Sequence, residues 1–145
     1  MKVRVEFETT DETGEVSTSF HVALMEMTEQ GMRLSYVEDV SGDGKKTRNT
    51  LLVSEKNLRV LRSGELQSDF MYGHDLQHNT VYQTPYGAFP VTVHTKRFSH
   101  SAEGVDYEGK AINQIFRVLL ELDYTLTMGQ DAPMYVQMKI QIASI

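Results

Sequence analysis

The sequence predicts an all-β domain closed into an antiparallel barrel. Two observations carry that prediction. Apolar residues recur at every second position in segment after segment, and short turn-forming clusters separate the segments. Period-two alternation buries one face of a strand and wets the other, which is the pattern of antiparallel sheet. A run of such strands leaves exposed edges if it stays flat, and closure into a barrel removes them.

Val3, Val5 and Phe7 alternate with Arg4 and Glu6 in the first strand. Asp11-Glu12-Thr13-Gly14 is a turn, and the next strand places Val16, Thr18, Phe20, Val22 and Leu24 on one face, read here as the buried one. The stretch Ala23–Gly31 has good helix formers and a terminal glycine, so one or two helical turns compete with the strand there. Met32, Leu34 and Tyr36 resume period two. Ser41-Gly42-Asp43-Gly44 and Ser63-Gly64-Glu65 are turn clusters, with Leu58 and Val60 alternating between them. Pro85-Tyr86-Gly87 precedes a strand carrying Phe89, Val91 and Val93. Residues 99 to 110 read as the longest loop.

Beyond it, Ile112, Ile115, Phe116, Leu119 and Leu120 fit a helical stripe, whereas Phe116, Val118, Leu120, Leu122, Tyr124 and Leu126 fit a long strand. The strand has more consecutive matches, and the Gly129–Pro133 turn joins it to the clearest strand of all. There Met134, Val136, Met138, Ile140 and Ile142 face one way and Tyr135, Gln137, Lys139 and Gln141 the other.

The chain has 145 residues, so residues 1–145 are read as one domain. Hydrophobic residues make up 40% and charged residues 23%, a globular balance rather than a disordered one. There is no cysteine, which excludes disulfides, thiolate metal sites and thiol catalysis. The opening MKVRVEFETT has no apolar core of a signal peptide, and no apolar run reaches the ~18 residues of a membrane helix. The expected compartment is therefore the cytoplasm, with no membrane partner. A net charge of −6 repels phosphate backbones and argues against nucleic acid. Local basic groups, such as Lys45, Lys46 and Arg48, lack the interleaved aromatics of a single-strand platform.

At Tyr36-Val37-Glu38 and Leu61-Arg62-Ser63-Gly64, followed by Thr84-Pro85-Tyr86-Gly87, Thr95 and a closing strand pair, the chain resembles the YwiB-like family. These are small bacterial proteins of unknown function with a calycin-like (lipocalin-like) β-barrel. The resemblance spans residues 16 to 143 and implies a barrel of about eight to ten strands. It implies no catalytic residue. The polar stretch 99–110 is longer than the family pattern, which leaves the shape of one barrel mouth open. A calycin-like shape suggests an internal ligand cup by analogy of fold alone.

The sharpest functional constellation lies inside that barrel. If Met32, Leu34 and Tyr36 point inward, so does Glu38; if Leu58 and Val60 point inward, so does Arg62. A phenol, a carboxylate and a guanidinium near one barrel end would grip a polar head group, with apolar side chains holding its tail. The simpler account is an internal ion pair that closes the barrel end.

His74 and His78 have the i,i+4 spacing of a helical zinc site, but they flank a turn and a strand that would part the rings. His94 lies opposite Val91 and Val93 and reads as an exposed histidine. Asp39-Val40-Ser41-Gly42-Asp43-Gly44 imitates a calcium loop, yet its twelfth position is Thr50 where a glutamate is needed. Glu121 and Asp123 sit on a solvated strand face. No nucleotide or nucleophile motif is present, and no cofactor is expected.

The leading expectation is a non-enzymatic barrel holding a small, partly apolar ligand through Tyr36, Glu38 and Arg62. A protein-interaction or structural module with a filled barrel comes second, and an enzyme using the internal carboxylate third. As an assembly, a monomer or a homodimer is expected.

Overall fold

The computed structural model describes residues 1–39 and 42–145. Ten strands make it up: β1 (Lys2–Asp11), β2 (Val16–Thr28), β3 (Gly31–Glu38), β4 (Thr47–Val53), β5 (Asn57–Gly64), β6 (Ser68–Gly73), β7 (Gln77–Thr84), β8 (Gly87–Asp106), β9 (Ala111–Met128) and β10 (Met134–Ser144). No helix long and apolar enough to cross a membrane is found among the described residues. Every ladder is antiparallel, and the spatial order β6-β5-β4-β3-β2-β1-β10-β9-β8-β7 is the sequence order wound into a ring.

The first strand makes the ring. β1 pairs β2 on one side, from Lys2↔Leu24 to Thr10↔Val16, and β10 on the other, from Val3↔Ser144 to Asp11↔Val136. The barrel is closed less completely at the opposite seam. There β6 and β7 share one bridge, in which Gln67 and Gln83 exchange backbone hydrogen bonds of 2.9 and 2.8 Å. Side chains hold the rest of the seam. His78 Nε2 lies 2.9 Å from the Asp69 carbonyl oxygen, and the Phe70 and Tyr82 rings meet edge to face.

Inward residues form one core: Val3, Val5, Leu34, Leu51, Leu120 and Ile140 are among those with no exposure. The expected inward sets of β1, β3, β5, β9 and β10 appear as read, and the segment from Phe116 to Leu126 is strand rather than helix. The pattern of β10 runs out at Met134, and that of β8, carried by Val91 and Val93, at Phe89; both end residues are exposed.

Three expectations are corrected. The apolar face of β2 points outward: Val16, Phe20, Val22 and Leu24 are all about half exposed or more. The reason is the β1–β2 hairpin. Its register pairs Val5 with His21 and Val3 with Ala23, and directly paired residues share a face. Because Val3 and Val5 point inward, the odd residues of β2 do too, and the apolar even residues are left outside. The hairpin is pinned by Asp11, whose Oδ1 accepts the Thr13 and Glu15 N–H groups at 2.8 and 3.0 Å, and by Gly14 at φ +86°. Its carboxyl is held below the usual range first by the Thr13 hydroxyl.

Second, Ala23–Thr28 is strand, not helical turns, because Leu24–Thr28 pairs with Gly31–Ser35. Third, residues 99–106 are strand, and only 107–110 form the turn to β9. β8 and β9 continue paired to Asp106↔Ala111, with register shifts between Thr95 and Arg97 and between Glu103 and Val105. The polar residues there alternate on a ribbon that extends past the barrel, so they carried no apolar signal of a strand.

Gly31 is a position where backbone geometry demands glycine. Its φ is +116°, and a Cβ there would run into the Val53 carbonyl oxygen of the neighbouring β4. Gly14 also has positive φ but faces open space. Gly31→Ala is therefore expected to lower unfolding free energy by well over ~1 kcal/mol, and Gly14→Ala by about 1 kcal/mol, in urea titrations followed by circular dichroism. Equal losses would contradict the close approach of Gly31 to β4.

Candidate functional site

One end of the barrel, where the β1–β2, β3–β4 and β5–β6 connections lie, opens into a cavity of about 310 Å³. The opposite end is covered by the β8–β9 extension. Tyr107 at its tip packs against the core, with its hydroxyl 2.7 Å from His100 Nε2, and Lys110 reaches Glu29 of the β2–β3 turn at 2.7 Å. The result is a cup with one mouth. A larger hollow of about 440 Å³ lies elsewhere, lined in part by the polar side chains of Lys96, Asp123 and Gln137.

Tyr36, Glu38 and Arg62 all line the cup. The register brings them together: Tyr36 pairs with Asn49, Asn49 with Arg62, and Arg62 with Ser68, in one row across β3 to β6. Asn49 has no solvent exposure and is the centre of the row. Its Nδ2 donates to Glu38 Oε1 at 2.9 Å, and its Oδ1 accepts from Arg62 Nε at 3.0 Å. A neutral amide thus stands between the two charged groups, in place of the direct ion pair that sequence alone suggests as the simplest account.

His21 completes the mouth. Its ring stacks on Tyr36 with centroids 4.2 Å apart and planes 19° apart, and Phe7 meets it edge on. β2 and β3 pair only below Leu24↔Ser35, so this stack fills the place where their backbones part. Deeper in, the Tyr72 and Tyr124 rings meet edge to face at 4.9 Å.

The electrostatics follow from burial. Burial, and then Glu38, push the Tyr36 phenol up to about 12, against a smaller opposing effect of Arg62. Burial pushes His21 below its ordinary 6.5; Glu38 opposes this and Arg62 adds to it. Burial, and then the neighbouring Tyr124, drive Tyr72 well above 10, and burial raises Tyr124 as well. Near neutral pH the cup therefore presents neutral phenols and a neutral imidazole beside Glu38 and Arg62.

The remaining sequence candidates lie apart. His74 is exposed beside Asp75 at 3.4 Å, whereas His78 turns to the β6–β7 seam. His94 is half-buried between Gln77 and Thr125 rather than fully exposed. In the calcium-like segment, Val40 and Ser41 lie outside the described residues, and the Asp39 carboxylate accepts the Gly42 and Gly44 N–H groups, both at 2.8 Å. No group of three or more potential metal ligands exists among the described residues. Asp123 and Glu121 face Arg97 on the outer surface, at 2.8 and 3.8 Å.

Sequence reasoning missed His21 and Asn49. The signal for His21 was the parity of the β1–β2 hairpin. Asn49 lay in a strand whose pattern, Thr47-Arg48-Asn49-Thr50-Leu51-Leu52-Val53, alternates weakly because Leu52 breaks it.

Residues 1–140 match the family model of a domain of unknown function, DUF1934. The chain belongs to that family. Among solved structures, the DUF1934 chain is similar to the YwiB protein from Bacillus subtilis, at 18% identity and a TM-score of 0.78. The match covers 99% of this chain and 92% of that one. It shows the shared barrel fold. No curated protein matches the chain.

Asn49→Ala leaves two part-buried charged side chains without their bridge, and a stability loss of about 1–3 kcal/mol is expected in denaturant titrations. A loss near zero would mean that the network is solvated. The histidines set a pH dependence. His21 and His100 both have folded values depressed below 6.5 by burial. Their contribution to stability is complete above pH 6.5 and is lost as pH falls through the depressed folded values. The melting temperature should drop over that acidic window, and His21→Phe should flatten part of the drop. In NMR titration, Glu38→Gln should lower the His21 pKa further and Arg62→Gln should raise it.

Proposed function

We propose that this DUF1934 protein is a non-enzymatic, calycin-like barrel that holds a small, partly apolar ligand in its cup, in the cytoplasm of a bacterium. The observation that carries the reading is the convergence of Glu38 and Arg62 on buried Asn49 at the mouth of a cavity. A direct ion pair would leave both groups largely satisfied by one another. A bridging amide holds them apart and fixes their orientation, so a ligand head with both a donor and an acceptor can meet both.

The rest of the cup fits the same chemistry. Phe7, Phe70 and Met138 supply an apolar wall, and Tyr36 offers a phenol held neutral as a donor. A volume of about 310 Å³ is at the lower end of ligand pockets, which span ~300–1,000 Å³, and so favours a small molecule. Fold similarity at 18% identity adds the barrel but no ligand.

Native mass spectrometry of freshly purified protein tests the proposal. A small molecule that co-purifies with the wild type and is lost from Arg62→Ala, with the melting temperature of that variant within a few degrees of wild type, is the expected result. A wild-type spectrum without bound mass across several expression hosts would count against it. If Glu38→Gln instead abolished a turnover found by substrate screening while the fold persisted, the enzyme reading would replace this one.

A further inference from the structure

The apolar face of β2 that the hairpin turns outward is left about half exposed, with only the Arg4 side chain over its Phe20 ring among the described residues. Phe20, Val22 and Leu24 are 52%, 50% and 59% exposed, and Val37 on β3, which lines the same cleft as Val22 and Leu24, is 53% exposed. Sequence spacing gives this strand a consistent apolar face, yet the fold spends it on solvent. Exposed apolar residues scattered singly need no explanation, but an apolar row along one strand face marks an interaction surface.

The charges beside that row identify the occupant. β1 lies next to β2 and presents Lys2, Arg4, Glu6 and Glu8 outward, in that order. The sign changes between Arg4 and Glu6, whose partners on β2 are Val22 and Phe20. A two-fold axis lying in the contact plane, perpendicular to the strands at that point, maps the positive half of β1 onto the negative half of a second copy. Lys2 then faces Glu8 and Arg4 faces Glu6 across the interface, while Phe20 meets Val22. An isologous contact needs this self-complementarity. Within one chain Arg4 already reaches Glu6 at 3.3 Å and lies over the Phe20 ring, so the central charges are held in place beside the apolar row.

We infer that this chain forms a two-fold homodimer through the outer faces of β1 and β2, with Phe20 and Val22 at the axis. The size of the face suits a weak dimer. The Val16–Leu24 run of β2 and the strands β1 and β10 beside it span roughly 30 by 14 Å at ordinary strand spacings. Two copies then bury on the order of 850 Å², the size of a weak, concentration-dependent contact. The face lies outside the barrel wall, so both cups stay open and the inference is independent of the ligand proposal.

Sedimentation equilibrium of the full chain at high micromolar concentration tests it. A mass of twice 16.5 kDa is expected for the wild type, and that of one chain for Val22→Lys, with an unchanged circular dichroism spectrum. Lys2→Glu places like charges opposite each other twice and should weaken dimerisation about tenfold or more, whereas Lys2→Glu combined with Glu8→Lys should restore it. A monomeric wild type overturns the inference, even if the protein captures a different partner. So does a dimer that survives Val22→Lys, or one weakened by Lys2→Glu without recovery in the double variant.

Discussion

Everything in this barrel depends on β1 being zipped on both sides. Its outward and inward residues are set by alternation, but its two registers set the facing of every other strand. Pairing with β2 matches odd residues to odd, and pairing with β10 matches odd to even. Carried around the ring, these parities place Tyr36, Asn49 and Arg62 inside and Phe20 and Val22 outside. A shift of one residue at either side of β1 would reverse half the wall. The hairpin held by Asp11 and Gly14 is thus as consequential for the interior as any core side chain.

The cup follows from an asymmetry between the two barrel ends. At one end β8 and β9 run on beyond their neighbours and fold Tyr107 and His100 over the core. At the other, Glu38 and Arg62 at the margin of the buried Asn49 stay partly exposed to solvent. Charged groups inside a barrel are costly unless paired and hydrogen-bonded. Placing them at the open end, with one buried amide between them, lowers that cost while keeping them apart. The aromatic stack of His21 on Tyr36 serves the same end of the barrel, because it closes the gap where β2 and β3 separate. The β6–β7 seam, with one backbone bridge, is the weakest part of the wall.

Much of this was legible in the sequence where alternation was strong. β1, β3, β9 and β10 have clean apolar sides, and the inward facing of Glu38 and Arg62 followed from extending the pattern of their own strands. The failures have a common cause. On β2 the more apolar side is the solvent side, so a rule that buries the apolar face chose wrongly and hid His21. On β4, Asn49 and Thr47 face inward and Leu52 does not, so polarity gave no direction. On β8 and β9 the strand continues through polar residues because backbone pairing, not burial, sustains a projecting ribbon.

By itself the sequence determined the class, the order of most strands and the residue types available to a site. Those properties are local: they rest on alternation, turn chemistry and composition within a few residues. Which groups meet was decided only in the tertiary structure. Asn49 lies between Glu38 and Arg62 because the registers of β3 with β4 and of β4 with β5 align, and the alternation within any one of these strands does not encode that alignment. The same holds for the exposed face of β2, which the sequence makes apolar and the β1–β2 register turns outward.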